Sequence, residues 1–87
     1  MKEFEYRVEK VSGHCSCGYK AGDVFRCKGM NTPDTAFCGG AFMILFPMQV
    51  ALCTGARFNS EQNPKSKGGL ACPDNGYVVF RITLLEE

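Results

Sequence analysis

Apolar and polar residues alternate strictly at the start of the chain, where Phe4, Tyr6 and Val8 are separated by Glu5, Arg7 and Glu9. A period of two belongs to a strand with one wet face, so this segment is the first predicted strand. Gly13, Gly18 and Gly22 then break the pattern and place "HCSCGYKAGD", residues 14 to 23, on tight turns. "DVFRCK", Asp23 to Lys28, reads as a second strand, hairpin-paired with the first and closed by Gly29. Thr32, Pro33 and Asp34 have the form of a helix start, but Gly39 and Gly40 would cost a continuing helix roughly 2 kcal/mol relative to alanine. A short turn is expected there, with the main helix beginning after Cys38.

From Ala41 to Phe46 apolar residues crowd every helical face, and Pro47 is expected to kink or restart the helix before it ends at Thr54 against Gly55. The reading is a buried, bent helix or helix pair. "RFNSEQNPKSKGG", Arg57 to Gly69, has no periodicity and reads as an exposed loop, with a lid or docking segment as the alternative. "LACPDNGYVVFRITLLEE" supplies a short strand, an Asn75-Gly76 turn and a last strand alternating Val78, Phe80, Ile82 and Leu84. The predicted fold is α+β: a small antiparallel sheet in ββααββ order, packed on a bent helix or helix pair, in one domain spanning residues 1–87.

The chain's 87 residues suffice for one core. Hydrophobic residues at 45% and charged ones at 22% are ordinary globular values, which argues against a disordered or fibrous chain. A formal charge of +1, with the basic residues dispersed, lacks the footprint of a nucleic-acid binder. Membrane insertion is not expected, because the longest apolar run, Ala41 to Cys53, is broken by Pro47 and Gln49 and falls short of the roughly 20 residues a spanning helix needs. "MKEFEYRVEK" has neither the apolar stretch nor the cleavage site of a signal peptide, so the expected compartment is the cytoplasm. Thiols are held reduced there, and six cysteines then point to metal, catalysis or packing before a disulfide framework.

No C-x-x-C pair occurs among Cys15, Cys17, Cys27, Cys38, Cys53 and Cys72, so zinc-ribbon and thioredoxin signatures are absent. Three thiols stand at junctions between predicted elements. Cys15 lies on the glycine turn, where backbone N–H groups can stabilise a thiolate. Cys38 precedes the main helix, whose partial positive charge lowers a thiol pKa. Cys72 precedes Pro73, which forces the backbone out of the sheet. These three are the candidate metal ligands, with His14 and Cys17 as possible helpers. Cys27, on the Phe25 face of the second strand, and Cys53, near the helix end, fit core packing instead. Asp23 and Asp74 fit turn geometry, Lys20 fits a solvated charge, and no Ser-His-Asp, Walker, Rossmann or H-E-x-x-H pattern is present.

"GHCSCGYKAGDVF", "FCGGAF" and "ACPDNGYVVFRI" together resemble a family of small uncharacterised proteins of anaerobic bacteria and archaea. That family has a G-x-C-x-x-G-x-K-x-G-D opening, a central cysteine before a proline-containing helix, and an A-C-P-D motif. The resemblance covers nearly the whole chain and falls on Gly13, Cys15, Gly18, Lys20, Gly22, Asp23, Cys38, Ala41, Phe42, Pro47, Cys72, Pro73 and Asp74. Tyr19 stands where the family often has histidine, and Gly39 where it often has proline. No activity is implied; the anaerobic distribution favours an iron–sulfur cluster on three cysteines, with one iron open, over structural zinc. The leading expectation is therefore a small cytoplasmic metal- or iron–sulfur-binding domain. One alternative is a metal-free module whose thiols line a cleft for a small molecule or a protein partner, drawing on Phe42, Met43, Phe46 and Met48. The other is a thiol redox or nucleophile protein using Cys38.

Overall fold

The alternating opening segment forms β1 (Glu3–Val11) in a computed structural model that describes residues Met1 to Glu87. It is followed by β2 (Val24–Lys28), α1 (Gly39–Cys53), β3 (Ser66–Ala71) and β4 (Val78–Glu86). The sheet order is β2-β1-β4-β3, and every neighbouring pair is antiparallel. Register turns the alternation into rows of side chains on one face. Cys27, Phe4 and Leu84 form one row, Phe25, Tyr6 and Ile82 the next, and Val8, Phe80 and Leu70 a third. Helix α1 lies on that face and adds Ala41, Leu45 and Leu52 to the core. Each fully buried large side chain contributes roughly 1.5–3 kcal/mol.

The opposite sheet face is ionic. Arg81 donates to Glu9 at 3.0 Å, to Glu61 at 2.9 Å and to the Ser66 hydroxyl at 2.9 Å, which ties the segment after α1 to the sheet.

The fold corrects the expected order: there is one helix, not a pair, and the sequence of elements is ββαββ. Pro47 lies inside α1 without ending it. An interior proline costs a helix about 3 kcal/mol, but Leu45 on one side and Gln49 and Leu52 on the other are wholly buried, and their packing keeps the helix continuous through Pro47. The expected Arg57–Gly69 loop also gives way at its end, where Ser66 opens β3. Ser66 and Lys67 have no strand preference of their own; they are held by pairing with Thr83 and Ile82 and by a 2.9 Å Ser66–Thr83 hydroxyl contact.

One polar side chain is wholly buried under the helix. Gln49 accepts from the Tyr6 hydroxyl and donates to the carbonyls of Gly29 at 2.9 Å and Asn31 at 3.0 Å. It thereby fastens α1 to β1 and to the loop leaving β2. Close by, burial pushes the Cys27 thiol up to about 11, with the Asp34 charge adding to the effect, and burial also raises Tyr6. In the unfolded chain both groups ionise at their ordinary, lower values. Native stability is therefore fully present below about pH 8.5 and lost as pH rises toward the folded Cys27 value. Urea unfolding is expected to show a loss of roughly 2 kcal/mol between about pH 8 and about pH 10.5, and an unchanged midpoint would mean that water reaches Cys27.

A thiol-lined pocket as candidate functional site

Three segments meet at the N-terminal end of α1. The first is the turn after β1, where the Gly18 amide donates to the Cys15 carbonyl at 2.9 Å and Gly18 takes a φ of 72°. Asp23 closes the following turn: its carboxylate accepts from the Lys20 amide at 2.9 Å, which is the geometric role expected of it. The second segment is Phe37 and Cys38, with Cys38 as the N-cap of α1. The third is the β3–β4 hairpin, which reverses through Asn75 and Gly76, both with positive φ.

Between them lies a cavity of about 170 Å³. Cys15, Cys17, Cys38 and Cys72 border it, with Tyr19, Ala41, Pro73, Val78 and Phe80 as its less polar walls and His14, Ser16 and Asp74 toward solvent. Cys27 is in the core and Cys53 sits half-buried at the far end of α1. The outer two segments are locked together at Gly13. A Cβ added there would stand 2.5 Å from the Tyr77 ring, while the Ser12 amide donates to the Tyr77 carbonyl at 2.8 Å. Gly13→Ala is accordingly expected to cost roughly 1–3 kcal/mol in urea unfolding as the ring is displaced; a cost near zero would show that Tyr77 moves freely.

The thiols differ electrostatically. The Cys38 thiol is lowered, first by the backbone amide of Ala41, then by that of Gly40 and by the Cys17 side chain; partial burial opposes them. This is the stabilisation of a thiolate by the unsatisfied N–H groups of a helix N-terminus. Cys17, although exposed, is raised, by desolvation and then by its hydrogen bond to Cys38. The two thiols are thus shifted in opposite directions, Cys38 downward and Cys17 upward. Cys72 is turned toward its own hairpin: its sulfur accepts from the Val78 amide at 3.5 Å and faces the Asp74 carbonyl at 3.6 Å.

Tyr19 holds the first two segments together. Its hydroxyl accepts from the Cys38 amide at 2.8 Å, and its ring stacks on Phe37 with centroids 5.6 Å apart and planes at 17°. Phe25 and Phe80 back this pair at 5.0 and 6.1 Å from Tyr19. Sequence reasoning noted Tyr19 only as a replacement for histidine and missed Phe37; the signal was an aromatic residue directly before Cys38 and another two residues after Cys17.

As donors, four thiols with an imidazole at the rim have the chemistry of a soft-metal site. Their placement is another matter, since no three histidine, cysteine, aspartate or glutamate side chains are grouped so as to hold a metal ion. Elsewhere, no helix is long and apolar enough to cross a membrane. No protein-family model, curated protein or solved structure matches the chain.

Proposed function

We propose that the protein acts through a nucleophilic thiolate at Cys38, which opens onto the cavity and attacks a soft electrophile held there. The observation that carries this reading is the place of Cys38 as the residue that begins α1 on the wall of the cavity, where the first-turn amides of Ala41 and Gly40 lower its thiol. A lowered pKa raises the thiolate fraction faster than it reduces intrinsic nucleophilicity, because the Brønsted slope is only about 0.4–0.5. Competitive alkylation of the native protein by iodoacetamide at neutral pH, read by peptide mass mapping, tests it. Cys38 is expected to react about tenfold faster than Cys15 and Cys72; labelling no faster than theirs would remove the proposal's support.

A second reading keeps the iron–sulfur cluster or zinc, with Cys15, Cys38 and Cys72 as ligands and Cys17 or His14 as helper. It is favoured by four of the six cysteines bordering one cavity. On this reading the sulfurs draw together around the bound group, and Cys72 turns from its hairpin. Iron, zinc and acid-labile sulfide measured in oxygen-free preparations of the wild type and a Cys15→Ser, Cys38→Ser, Cys72→Ser variant decide it. Metal lost with the three thiols would support this reading; metal-free, folded wild type would end it.

A further inference from the structure

We infer that the cavity binds a small, uncharged carbonyl compound, whose oxygen accepts a hydrogen bond from the Tyr19 hydroxyl and whose apolar body lies against Ala41, Val78 and Phe80. This deepens the reading of Cys38 as nucleophile by naming the class of molecule held beside it, and it rests on that reading for any reaction after binding. The binding itself is tested with a ketone that offers the thiol neither a leaving group nor a conjugated double bond.

Tyr19 borders the cavity, and its hydroxyl oxygen accepts from the Cys38 amide at 2.8 Å. A phenol oxygen both accepts and donates. Because the amide already gives its hydrogen to that oxygen, the phenolic proton cannot return to the amide, and no protein group accepts it. A donor is therefore left over where the cavity meets the start of α1. It is held in place by the ring that carries it, which packs against Phe37, Phe25 and the wholly buried Phe80, itself part of the cavity wall. A donor fixed before the ligand arrives costs little ordering on binding.

Size and charge narrow the ligand. A space of about 170 Å³ is close to the roughly 150 Å³ of a cavity that accepts benzene, so it takes a six-membered ring or a short branched chain. No lysine or arginine borders it, and Asp74 is on its rim, so a carboxylate finds no side-chain counter-charge. Among uncharged groups of this size a carbonyl is a strong acceptor, and unlike an alcohol it brings no proton that needs a partner of its own. A donor on a carbonyl oxygen also draws charge from the carbon beside it, which joins this contact to the attack proposed for Cys38.

The experiment titrates reduced wild type and Tyr19→Phe with cyclohexanone, with the hydrocarbon methylenecyclohexane of the same shape, and with cyclohexanecarboxylate, following backbone amide resonances by NMR. Tyr19→Phe keeps the ring and removes the hydroxyl. It is expected to bind the ketone about three- to tenfold more weakly than wild type and the hydrocarbon within about twofold of it, the difference being one neutral hydrogen bond. An unchanged ketone affinity, or an equal loss for ketone and hydrocarbon, would overturn the Tyr19 contact. A second measurement does not depend on the variant folding: the infrared carbonyl stretch of the ketone bound to wild type is expected below its position in cyclohexane, and a stretch at that position would overturn the contact. Carboxylate binding as tight as the ketone would overturn the uncharged class. Absence of any shift at the cavity residues of wild type would overturn the cavity as a binding site, whereas the alkylation rates judge the Cys38 nucleophile separately.

Discussion

Replacing Gln49 with leucine is expected to destabilise the protein by about 3 kcal/mol, the largest loss anticipated for a single conservative change in volume. The side chain is inaccessible to solvent and its three partners come from separate places: the Tyr6 hydroxyl on β1 and the carbonyls of Gly29 and Asn31 beyond β2. Leucine fills the space but offers no donor to the two carbonyls and no acceptor to the phenol. Leaving a buried polar group unpaired costs about 1–3 kcal/mol, and partial rehydration of the two loop carbonyls keeps the total at the lower end of the range summed over the three groups. For a domain of this size the loss corresponds to a fall in melting temperature of about 12–20 °C. A calorimetric shift of only a degree or two would mean that water satisfies these groups and that Gln49 does not fasten the helix.

Cys38→Ser is expected to leave stability within about 1 kcal/mol of wild type while removing the fast phase of thiol modification at neutral pH, a drop of about tenfold in the leading rate. The sulfur is half-buried and lies on the wall of an open cavity, so serine is accommodated there without leaving a sealed void. Serine is also a favoured residue at a helix N-cap, so the start of α1 is not weakened. The chemical loss is different in kind, because a serine hydroxyl does not ionise in this range. Retention of the fast phase in this variant would assign it to another cysteine.

How much of this was legible depended on how local the determinants were. Phe4, Tyr6 and Val8 declare β1 because a strand with one buried face writes its period directly into the chain. Asn75 and Gly76 declare their turn because both adopt positive φ, which other residues resist. Gly39 and Gly40 correctly delay α1 until after Cys38. By contrast, "SKGGLA" is a strand only through its partner: it pairs with β4 across an irregularity at Gly68 and Gly69, and nothing in its own composition says so. Pro47 suggested a second helix because its local cost was weighed without the burial of Leu45, Gln49 and Leu52 that keeps one helix continuous.

The site divides in the same way. Helix-start chemistry singled out Cys38, which does begin α1 and whose thiol is lowered there, first by the Ala41 amide. The shared cavity wall of Cys17 and Cys38, and the Tyr19 hydroxyl on the Cys38 amide, join residues far apart in the chain. Only the packing of the first turn against the helix start creates them. Asp74 was read as a turn residue, and its carbonyl does accept from the Tyr77 amide across the turn at 3.3 Å, while its position also brings it to the cavity rim.

The most direct test of the central claim is the pH dependence of Cys38 alkylation, measured by mass mapping in the native protein and in Cys17→Ser. The folded Cys38 thiol is lowered, so its rate is expected to reach half its plateau below the ordinary thiol range near pH 8.5, and to move upward in Cys17→Ser as one stabilising partner is lost. A midpoint at or above that range in the wild type, unchanged by the substitution, would contradict a thiolate held by the start of α1 and its neighbour Cys17.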